Sequence, residues 1–345
     1  MNKRFIEKRL ENVIYPGLDK NIVKLGCVKK IEPGNDRVRI ELSISNESVF
    51  EQIEKQISDL LSNDFKLIDI AFLANQKQSQ NYGNTKKPNN RASYAKNIIA
   101  VTSGKGGVGK STVSVNLSVA LAQLGYKVGL LDADIYGPNT PRMLGIQDEK
   151  LGWNDQDKMI PSENYGIKLM SVGLTTPKSD TPLVWRSSVA VSALIQFLED
   201  VAWGELDFLV IDMPPGTGDI QLTMAQELPL TSSVIVTTPQ AISTDDVSRA
   251  VMMFKDIGVP ISGIVENMSY FIAPDTGNRY DIFGSGGGEM ISQKYDVPLL
   301  GKIPLTMAIR ETSDAGKPAV ATDDSIQKEY YQSITRNLLA QMGTL

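Results

Sequence analysis

Short apolar runs alternate with longer amphipathic stretches from residue 98 to the end of the chain. The apolar runs predict buried strands at Ile98–Val101, Val128–Leu131, Ile167–Val172, Phe208–Ile211, Val234–Thr237, Ile261–Val265 and Leu299–Ile303. Apolar residues at helical spacing predict helices at Val113–Leu124, Val189–Val201, Asp246–Ile257 and Ile326–Met342. This alternation is typical of an α/β fold with a doubly wound, mainly parallel sheet and helices on both faces.

The first 75 residues follow a different pattern, which predicts a small α+β domain. Apolar residues at helical spacing run from Phe5 to Ile14 and from Val49 to Leu61. Strands are predicted at Leu25–Ile31, Val38–Ile44 and Leu67–Leu73, and a turn-rich segment joins the first two as in a hairpin. Residues 76–97 are polar and nearly free of aliphatic side chains, which predicts a flexible linker before a second domain at 98–345.

Composition narrows the chemistry that the chain can perform. Its 345 residues include no histidine and a single cysteine, Cys27, so no disulfide forms within the chain. Catalysis by Ser–His or Cys–His pairs is excluded, as are zinc or iron sites built from several cysteines or histidines of one subunit. We interpret Cys27, which lies in a predicted strand, as a small core residue.

Charge and hydropathy indicate where the protein works. The net charge of −5 argues against a general nucleic-acid binder. No apolar run reaches the length of a membrane span, and the charged N-terminus lacks the apolar core of a signal peptide. We therefore expect a cytoplasmic protein that binds neither nucleic acid nor membrane.

The segment from Gly104 to Thr112 matches the phosphate-binding P-loop, and it lies between a predicted strand and a predicted helix, as that loop requires. Its backbone N–H groups would converge on a phosphate. Lys110 would neutralise the β- and γ-phosphates, and the Ser111 hydroxyl would hold Mg²⁺. The predicted nucleotide contacts in this loop are Gly104, Gly106, Gly107, Val108, Gly109, Lys110, Ser111 and Thr112.

Carboxylates follow two of the predicted strands, where ligands of such sheets bind. Asp132 and Asp134 end one strand; we predict that Asp134 orients the attacking water and that Asp132 acts on the metal side. Asp212 ends a second apolar strand and is predicted to bind Mg²⁺ through water, as a Walker B aspartate does. These residues predict a Mg²⁺-dependent ATPase.

Four segments together resemble the Mrp/ApbC family of ATP-dependent iron–sulfur cluster carriers: 105–112, 132–139, 212–219 and 265–271. The resemblance covers residues 98 to about 320, and residues 1–75 look like the small domain that precedes the ATPase in many of these proteins. It implies a deviant Walker A homodimer in which Lys105 crosses to the other subunit's phosphates. It also implies that Asn267 contacts adenine beside Pro239 and Gln240, and that the partners are iron–sulfur scaffolds or apoprotein clients.

The chain departs from this family where the cluster would be held. Members carry Cys-Pro-x-Cys after the Asn-Met-Ser segment, but here Ala273 and Thr276 replace the two cysteines. A [4Fe–4S] cluster normally needs four thiolates, so no iron–sulfur ligand is identified in this chain. Three explanations remain: other ligands combined with partner thiols, an adaptor that kept only the ATP switch, or a different task.

Two other function classes remain open on the same fold. One is an ATP-switched scaffold or positioning protein resembling ParA or MinD, some of which end in a membrane-binding helix. The C-terminal stripe from Ile326 to Met342 has few basic residues on its polar face, so we predict that it packs on its own domain. The other class is a small-molecule kinase or synthetase, which would need a substrate pocket that the sequence does not reveal.

Overall fold

The computed structural model describes residues 3–16, 20–34, 36–44, 49–73, 91–175, 187–322 and 326–344. Most of the predicted linker, residues 76–97, therefore lies outside the described residues. By its internal contacts the chain divides into two units. The first is Met1–Asn81 with Gln123–Tyr126 and Arg336–Leu345, and the second is Tyr82–Ala122 with Lys127–Thr335.

The strands are β1 (Val28–Pro33), β2 (Arg37–Leu42), β3 (Leu67–Phe72), β4 (Ala95–Ser103), β5 (Val128–Asp132), β6 (Gly152–Trp153), β7 (Met159–Ile160), β8 (Ser162–Asn164), β9 (Ile167–Ser171), β10 (Leu206–Asp212), β11 (Ser232–Thr237), β12 (Ile261–Glu266), β13 (Phe271–Ile272), β14 (Arg279–Tyr280) and β15 (Leu299–Lys302). The helices are α1 (Lys3–Leu10), α2 (Phe50–Leu61), α3 (Lys110–Gln123), α4 (Thr140–Met143), α5 (Val172–Thr175), α6 (Ser187–Glu199), α7 (Asp219–Glu227), α8 (Ala241–Asp256), α9 (Gly287–Tyr295), α10 (Met307–Asp314) and α11 (Ile326–Met342), with a 3₁₀ turn at Ala319–Ala321.

The N-terminal part of the first unit is a three-stranded sheet with two helices. Strand β2 lies between β1, to which it is antiparallel, and β3, to which it is parallel. Alternate residues of β2, such as Val38 and Ile40, are buried because a strand presents every second side chain to one face. Ile53 and Ile57, one helical turn apart on α2, are also buried, so one stripe of that helix belongs to the core.

The second unit is built on an eight-stranded sheet with the order β15-β12-β11-β4-β10-β5-β9-β8. All neighbouring strands in this sheet are parallel except β8, which is antiparallel to β9. From β4 the chain passes to β5, β8 and β9 on one side, returns to place β10 between β4 and β5, and then continues through β11, β12 and β15 on the other side. This order therefore places a topological switch point beside β4, and parallel α/β sheets bind their ligands at such points.

Helices cover both faces of this sheet. Ile98 of β4 and Leu209 of β10 share an apolar cluster with Leu194 of α6. The neighbouring β4 residues Ile99 and Val101 point to the opposite face and are completely buried as well. Strands buried on both sides read as continuous apolar runs, which explains the runs in the sequence.

The predicted fold class is confirmed: the sheet is mainly parallel and doubly wound, and a small α+β unit precedes it. The C-terminal helix has the predicted bounds. Ile334 and Leu338 of its predicted apolar stripe are buried, as is Tyr331 beside them, whereas Ile326 at the start of the helix is exposed. None of the helices in the described part of the chain has the length and hydropathy of a membrane-spanning segment.

Candidate functional site

The P-loop connects the carboxyl end of β4 to the first residue of α3. Gly107 and Gly109 have φ angles of +78° and +81°, a region that L side chains rarely adopt. These two glycines allow the backbone to turn sharply before Lys110 begins the helix. Free N–H groups in the first turn of a helix, preceded by such a loop, form an anion-binding cradle.

Lys110 lies at the centre of a buried polar cluster. Its side chain is only 5% exposed, and its Nζ donates to Asp212 Oδ1 at 2.8 Å and to Ser111 Oγ at 3.3 Å. The hydroxyl of Ser114, one turn further along α3, donates to the same Asp212 oxygen at 2.7 Å. Asp212 is fully buried, and its second oxygen, Oδ2, has no hydrogen-bond partner.

Asp134 faces the same cluster from the end of β5. Its Oδ2 lies 3.6 Å from Lys110 Nζ, and its side chain is 14% exposed. Burial raises the pKa of Asp134; the Lys110 ammonium opposes this shift and the Asp212 carboxylate adds to it. The structure thus brings together four of the predicted site residues, namely Lys110, Ser111, Asp134 and Asp212.

Asp132 lies in the same region but its carboxylate bonds to other groups. Its Oδ2 accepts hydrogen bonds from Thr140 Oγ1 at 2.8 Å and from Ser171 Oγ at 3.1 Å, and its Oδ1 accepts one from Asp134 N at 3.1 Å. Burial and the nearby Asp212 carboxylate raise the pKa of Asp132 above its usual range. The metal-side role of Asp132 stays a prediction.

Lys105 is also in the P-loop, but its ammonium bonds to a different part of the chain from that of Lys110. Its Nζ donates to Gln240 Oε1 at 3.1 Å, just before α8 begins. The preceding glycine, Gly104, packs directly against the backbone of Asp246 in α8. The P-loop therefore packs against the first turns of α8, and Lys105 bonds to Gln240, the residue that precedes this helix.

Asn267, which follows β12, contacts the P-loop directly. Its Nδ2 donates to the carbonyl of Val108 at 2.8 Å. A Cβ at Gly109 would lie 2.2 Å from the same nitrogen, so only glycine leaves room for this contact. The amide of Asn267 is thus held within the nucleotide loop, and its Oδ1 remains on the side chain as an acceptor.

These residues fit a nucleotide with a bound Mg²⁺. The loop of Gly106 to Thr112 offers N–H groups and a lysine for phosphates. The unpartnered Oδ2 of Asp212 and the Ser111 hydroxyl are hard oxygen donors of the kind that Mg²⁺ prefers. Among the described residues, no group of three or more acidic, cysteine or histidine side chains is arranged around a metal.

The place of the missing cysteines is a short hairpin. Strands β13 and β14 pair antiparallel, and Ala273 N donates to Asn278 O at 2.9 Å in the connecting turn. Ala273 and Thr276 supply no thiolate there. Cys27 is buried in the first unit, and burial raises the pKa of its thiol to about 11. Its thiol therefore stays protonated near neutral pH, and a protonated thiol is a poor ligand for iron.

Two site features were missed from the sequence. Ser114 bonds to Asp212. The sequence offered one signal for this role: Ser114 follows Lys110 by four residues, on the same side of a helix that is mostly buried. Glu266 is completely buried at the end of β12 and accepts hydrogen bonds from Ser269 Oγ and Gly288 N. The available signal was a charged residue at the end of an apolar strand, although one of its two hydrogen-bond partners, Gly288, lies 22 residues away.

The fold and this cluster define the class of the protein: a P-loop nucleotide-binding protein with a doubly wound sheet. Two family models match the chain, one described as "NUBPL iron-transfer P-loop NTPase" over residues 94–339 and one described as "Iron-sulfur cluster assembly protein" over residues 3–65. The chain belongs to the iron-transfer P-loop NTPase family, which confirms the resemblance inferred from the motifs.

Individual relatives support the same assignment. An iron-sulfur cluster carrier protein of Aquifex aeolicus is 40% identical over 342 residues, covering 94% of this chain and 93% of that protein. A solved nucleotide-binding protein from Archaeoglobus fulgidus in complex with ADP, with cobalt, is 38% identical at a TM-score of 0.61, covering 70% of this chain and 94% of its own. The cell division ATPase MinD of Pyrococcus furiosus, 24% identical at a TM-score of 0.55, covers 70% of this chain and 98% of its own and shares the fold.

Proposed function

We propose that this chain is an ATP-binding, ATP-hydrolysing factor that helps to load iron–sulfur clusters onto apoproteins. The observation that carries the proposal is the buried cluster of Lys110, Asp134 and Asp212 at the P-loop, in a chain of the iron-transfer family. Bound Mg²⁺ would supply charge neutralisation at the β- and γ-phosphates. Ser111 and the free oxygen of Asp212 are the donors proposed to hold it.

The roles of the remaining site residues follow from their positions. On nucleotide binding, Lys110 exchanges its contact with Asp212 for phosphate oxygens. Asp134, which then loses part of its ion pair with Lys110, accepts a hydrogen bond from the attacking water and aligns it. Burial raises the pKa of Asp134, which makes its carboxylate a better proton acceptor for the water than an ordinary aspartate.

Hydrolysis is proposed to require two subunits in the cytoplasm, as the family resemblance implies. Lys105 would leave Gln240 and contact the phosphates of the second subunit, where its charge acts as an arginine finger does. Asn267 would contact adenine. With these two roles, a single subunit binds the nucleotide through Asn267, whereas hydrolysis requires Lys105 from a second subunit.

The cluster itself is cargo for which this chain offers no thiolate. The relatives named iron-sulfur cluster carriers support a role in cluster transfer. Because Ala273 and Thr276 replace cysteines and Cys27 is buried, we propose that thiols of a scaffold or client protein ligate the cluster. The ATPase of this chain then acts on such a complex, and scaffolds and apoproteins are its proposed partners.

A positioning protein of the ParA or MinD type is the alternative function. The likeness to MinD extends to the fold alone. A membrane-recruited ATPase would need an available apolar helix face, whereas Tyr331, Ile334 and Leu338 of α11 are buried. We therefore favour the assembly factor.

The test is to measure iron and acid-labile sulfide per subunit after anaerobic reconstitution, with and without a thiol-bearing scaffold or apo-ferredoxin, beside ATPase activity. We expect ATP hydrolysis, no cluster on the isolated chain, and faster cluster transfer to the apoprotein with Mg-ATP. The Lys110→Ala variant, which should lose nucleotide binding, is the control. Cluster transfer that proceeds equally with and without nucleotide would contradict the proposal.

A further inference from the structure

Glu266 is a charged residue in a place where charge is costly. Its side chain has no exposed surface, and both carboxylate oxygens are engaged. Ser269 Oγ donates to Oε1, Gly288 N donates to Oε2, and Lys302 Nζ lies 3.7 Å from Oε1. Replacing a buried ion pair by apolar residues often leaves stability unchanged or improves it, so the presence of the Glu266–Lys302 pair calls for an explanation beyond stability.

The two hydrogen bonds of Glu266 fix the turn that carries Asn267. Met268 has a φ angle of +51°, which is uncommon for a side chain without local polar groups. The Glu266–Ser269 hydrogen bond spans this residue, and Ser269 N donates to Ile303 O at 2.8 Å. The turn is therefore held at both ends, and the Asn267 side chain is directed at the P-loop carbonyl of Val108.

The same carboxylate also ties this turn to its neighbours. Gly288 lies in the first turn of α9, and a Cβ there would be 2.9 Å from Glu266 Oε2. Beyond Ser269, the chain enters the β13–β14 hairpin, where Tyr270 O accepts from Leu305 N at 2.7 Å. One buried group thus joins the nucleotide loop, through Asn267, to the start of α9 and to the hairpin.

We propose that Glu266 is a positioning residue for nucleotide recognition: it holds Asn267 against the P-loop and so sets the preference for adenine. This inference rests on the proposed ATP site and assigns Glu266 no contact with the nucleotide. Without the carboxylate, Ser269 and Gly288 lose a common acceptor and the strained turn relaxes. Asn267 then leaves Val108, and the base loses a fixed partner.

The experiment compares dissociation constants for ATP and GTP, measured by competition with a fluorescent ATP analogue, in the full chain. Glu266→Gln removes the charge and leaves one acceptor oxygen in place of two, and we expect the ratio of GTP to ATP dissociation constants to fall by roughly threefold to tenfold. Asn267→Ala should lower the ratio at least as far. Adding Glu266→Gln to Asn267→Ala should change it no further, because Glu266 acts through Asn267.

Two further variants separate positioning from general support of the fold. Glu289→Gln changes a half-exposed carboxylate next to Gly288 that pairs with Lys302 and keeps both hydrogen bonds of Glu266, and it should leave the ratio within about twofold of the wild type. Ser269→Ala removes one hydrogen bond from an intact carboxylate, and it replaces Glu266→Gln as the test if that variant fails to fold. Ser269→Ala should also lower the ratio of GTP to ATP dissociation constants.

A ratio that stays at the wild-type value in Glu266→Gln or Ser269→Ala, whatever happens to the melting temperature, overturns the positioning role. The same holds if Asn267→Ala leaves the ratio unchanged. Failure of the proposed ATP site would be visible separately, because the wild-type chain itself would then bind neither nucleotide.

Discussion

Lys110 and Asp212 form an ion pair that is almost completely withdrawn from water, with side chains 5% and 0% exposed. Removing one partner of such a pair leaves the other charge buried and uncompensated. Lys110→Met should therefore lower the free energy of unfolding of the nucleotide-free protein by about 3 kcal/mol, in addition to abolishing nucleotide binding. Guanidinium unfolding curves measure the first effect and nucleotide titration the second.

The matched control is an exposed ion pair. Arg310 and Glu311 lie 3.0 Å apart with side chains 66% and 63% exposed. Arg310→Ala should change the free energy of unfolding by less than about 1 kcal/mol. If Lys110→Met lowers the free energy of unfolding no more than Arg310→Ala does, the Lys110–Asp212 pair does not stabilise the fold in the way that its burial implies.

Asp134 differs from Asp132 in what its carboxylate can do. Asp132 is bonded to Thr140 and Ser171, whereas Asp134 has some solvent exposure and lies close to the ammonium of Lys110. Asp134→Asn keeps the shape but removes the charge. We expect kcat for ATP hydrolysis to fall by about 100-fold while the ATP dissociation constant stays within about threefold.

The pH profile adds a second measurement for Asp134. Its pKa is raised, so protonation on the acidic side removes the active carboxylate at a higher pH than for an ordinary aspartate. The acidic limb of the kcat profile should vanish in Asp134→Asn and persist in Asp275→Asn, which changes an exposed carboxylate of the hairpin turn. Normal turnover in Asp134→Asn would remove the water-positioning role.

The P-loop depends on two glycines for different reasons. Both Gly107 and Gly109 have positive φ angles, so an alanine at either position costs about 1 kcal/mol of backbone strain. A Cβ at Gly107 meets nothing within 4 Å, but one at Gly109 collides with Asn267 Nδ2. Gly109→Ala should therefore lose about 1 kcal/mol more stability than Gly107→Ala, since the Asn267–Val108 hydrogen bond is broken.

Nucleotide-free unfolding is the measurement for this pair of variants, because phosphate contacts do not then enter the comparison. Equal losses in the two variants would mean that the Asn267 contact with the loop contributes nothing to stability. The double change Gly109→Ala with Asn267→Ala offers a check, since the extra loss should disappear when the amide is already absent.

The elements that the sequence predicts well are those whose pattern is set locally. Strand β10 is an apolar run that ends in Asp212, and helix α11 has the predicted bounds because its apolar stripe is regular. Helix α9 was missed: its first turn is a run of glycines, which predicts a loop. The Gly288 N–H is satisfied by Glu266, a residue 22 positions earlier, and no local pattern reveals such a partner.

The candidate site divides in the same way. Lys110 and Asp212 are recognisable because phosphate chemistry restricts which residues can occupy those places. The contact between Lys105 and Gln240 cannot be recognised in the same way. The two residues lie 135 positions apart in the sequence and come together only in the folded protein. Nor does a local pattern reveal that Asp132 bonds to Ser171 on β9 and to Thr140 on α4, which lie 39 and 8 residues further along the chain.

At the scale of the whole molecule, the proposed second subunit separates binding from turnover. One chain contains the complete loop, Asn267 and Asp212, so nucleotide affinity should not depend on protein concentration. The Nζ of Lys105 donates to Gln240 of its own chain, whereas the Nζ of Lys110 donates to Asp212 and Ser111. If hydrolysis uses the lysine of a second copy, the rate per subunit must rise with protein concentration until the pair is formed.

Lys105→Ala tests this directly. We expect an ATP dissociation constant within about threefold of the wild type and a turnover reduced by at least 100-fold at saturating protein, since a charge supplied in trans to phosphoryl transfer contributes about 10³-fold or more. The measurement is ATPase rate per subunit against protein concentration, with Lys317→Ala as an exposed-lysine control. A wild-type rate that is independent of concentration, together with an active Lys105→Ala variant, would show that each subunit hydrolyses ATP alone.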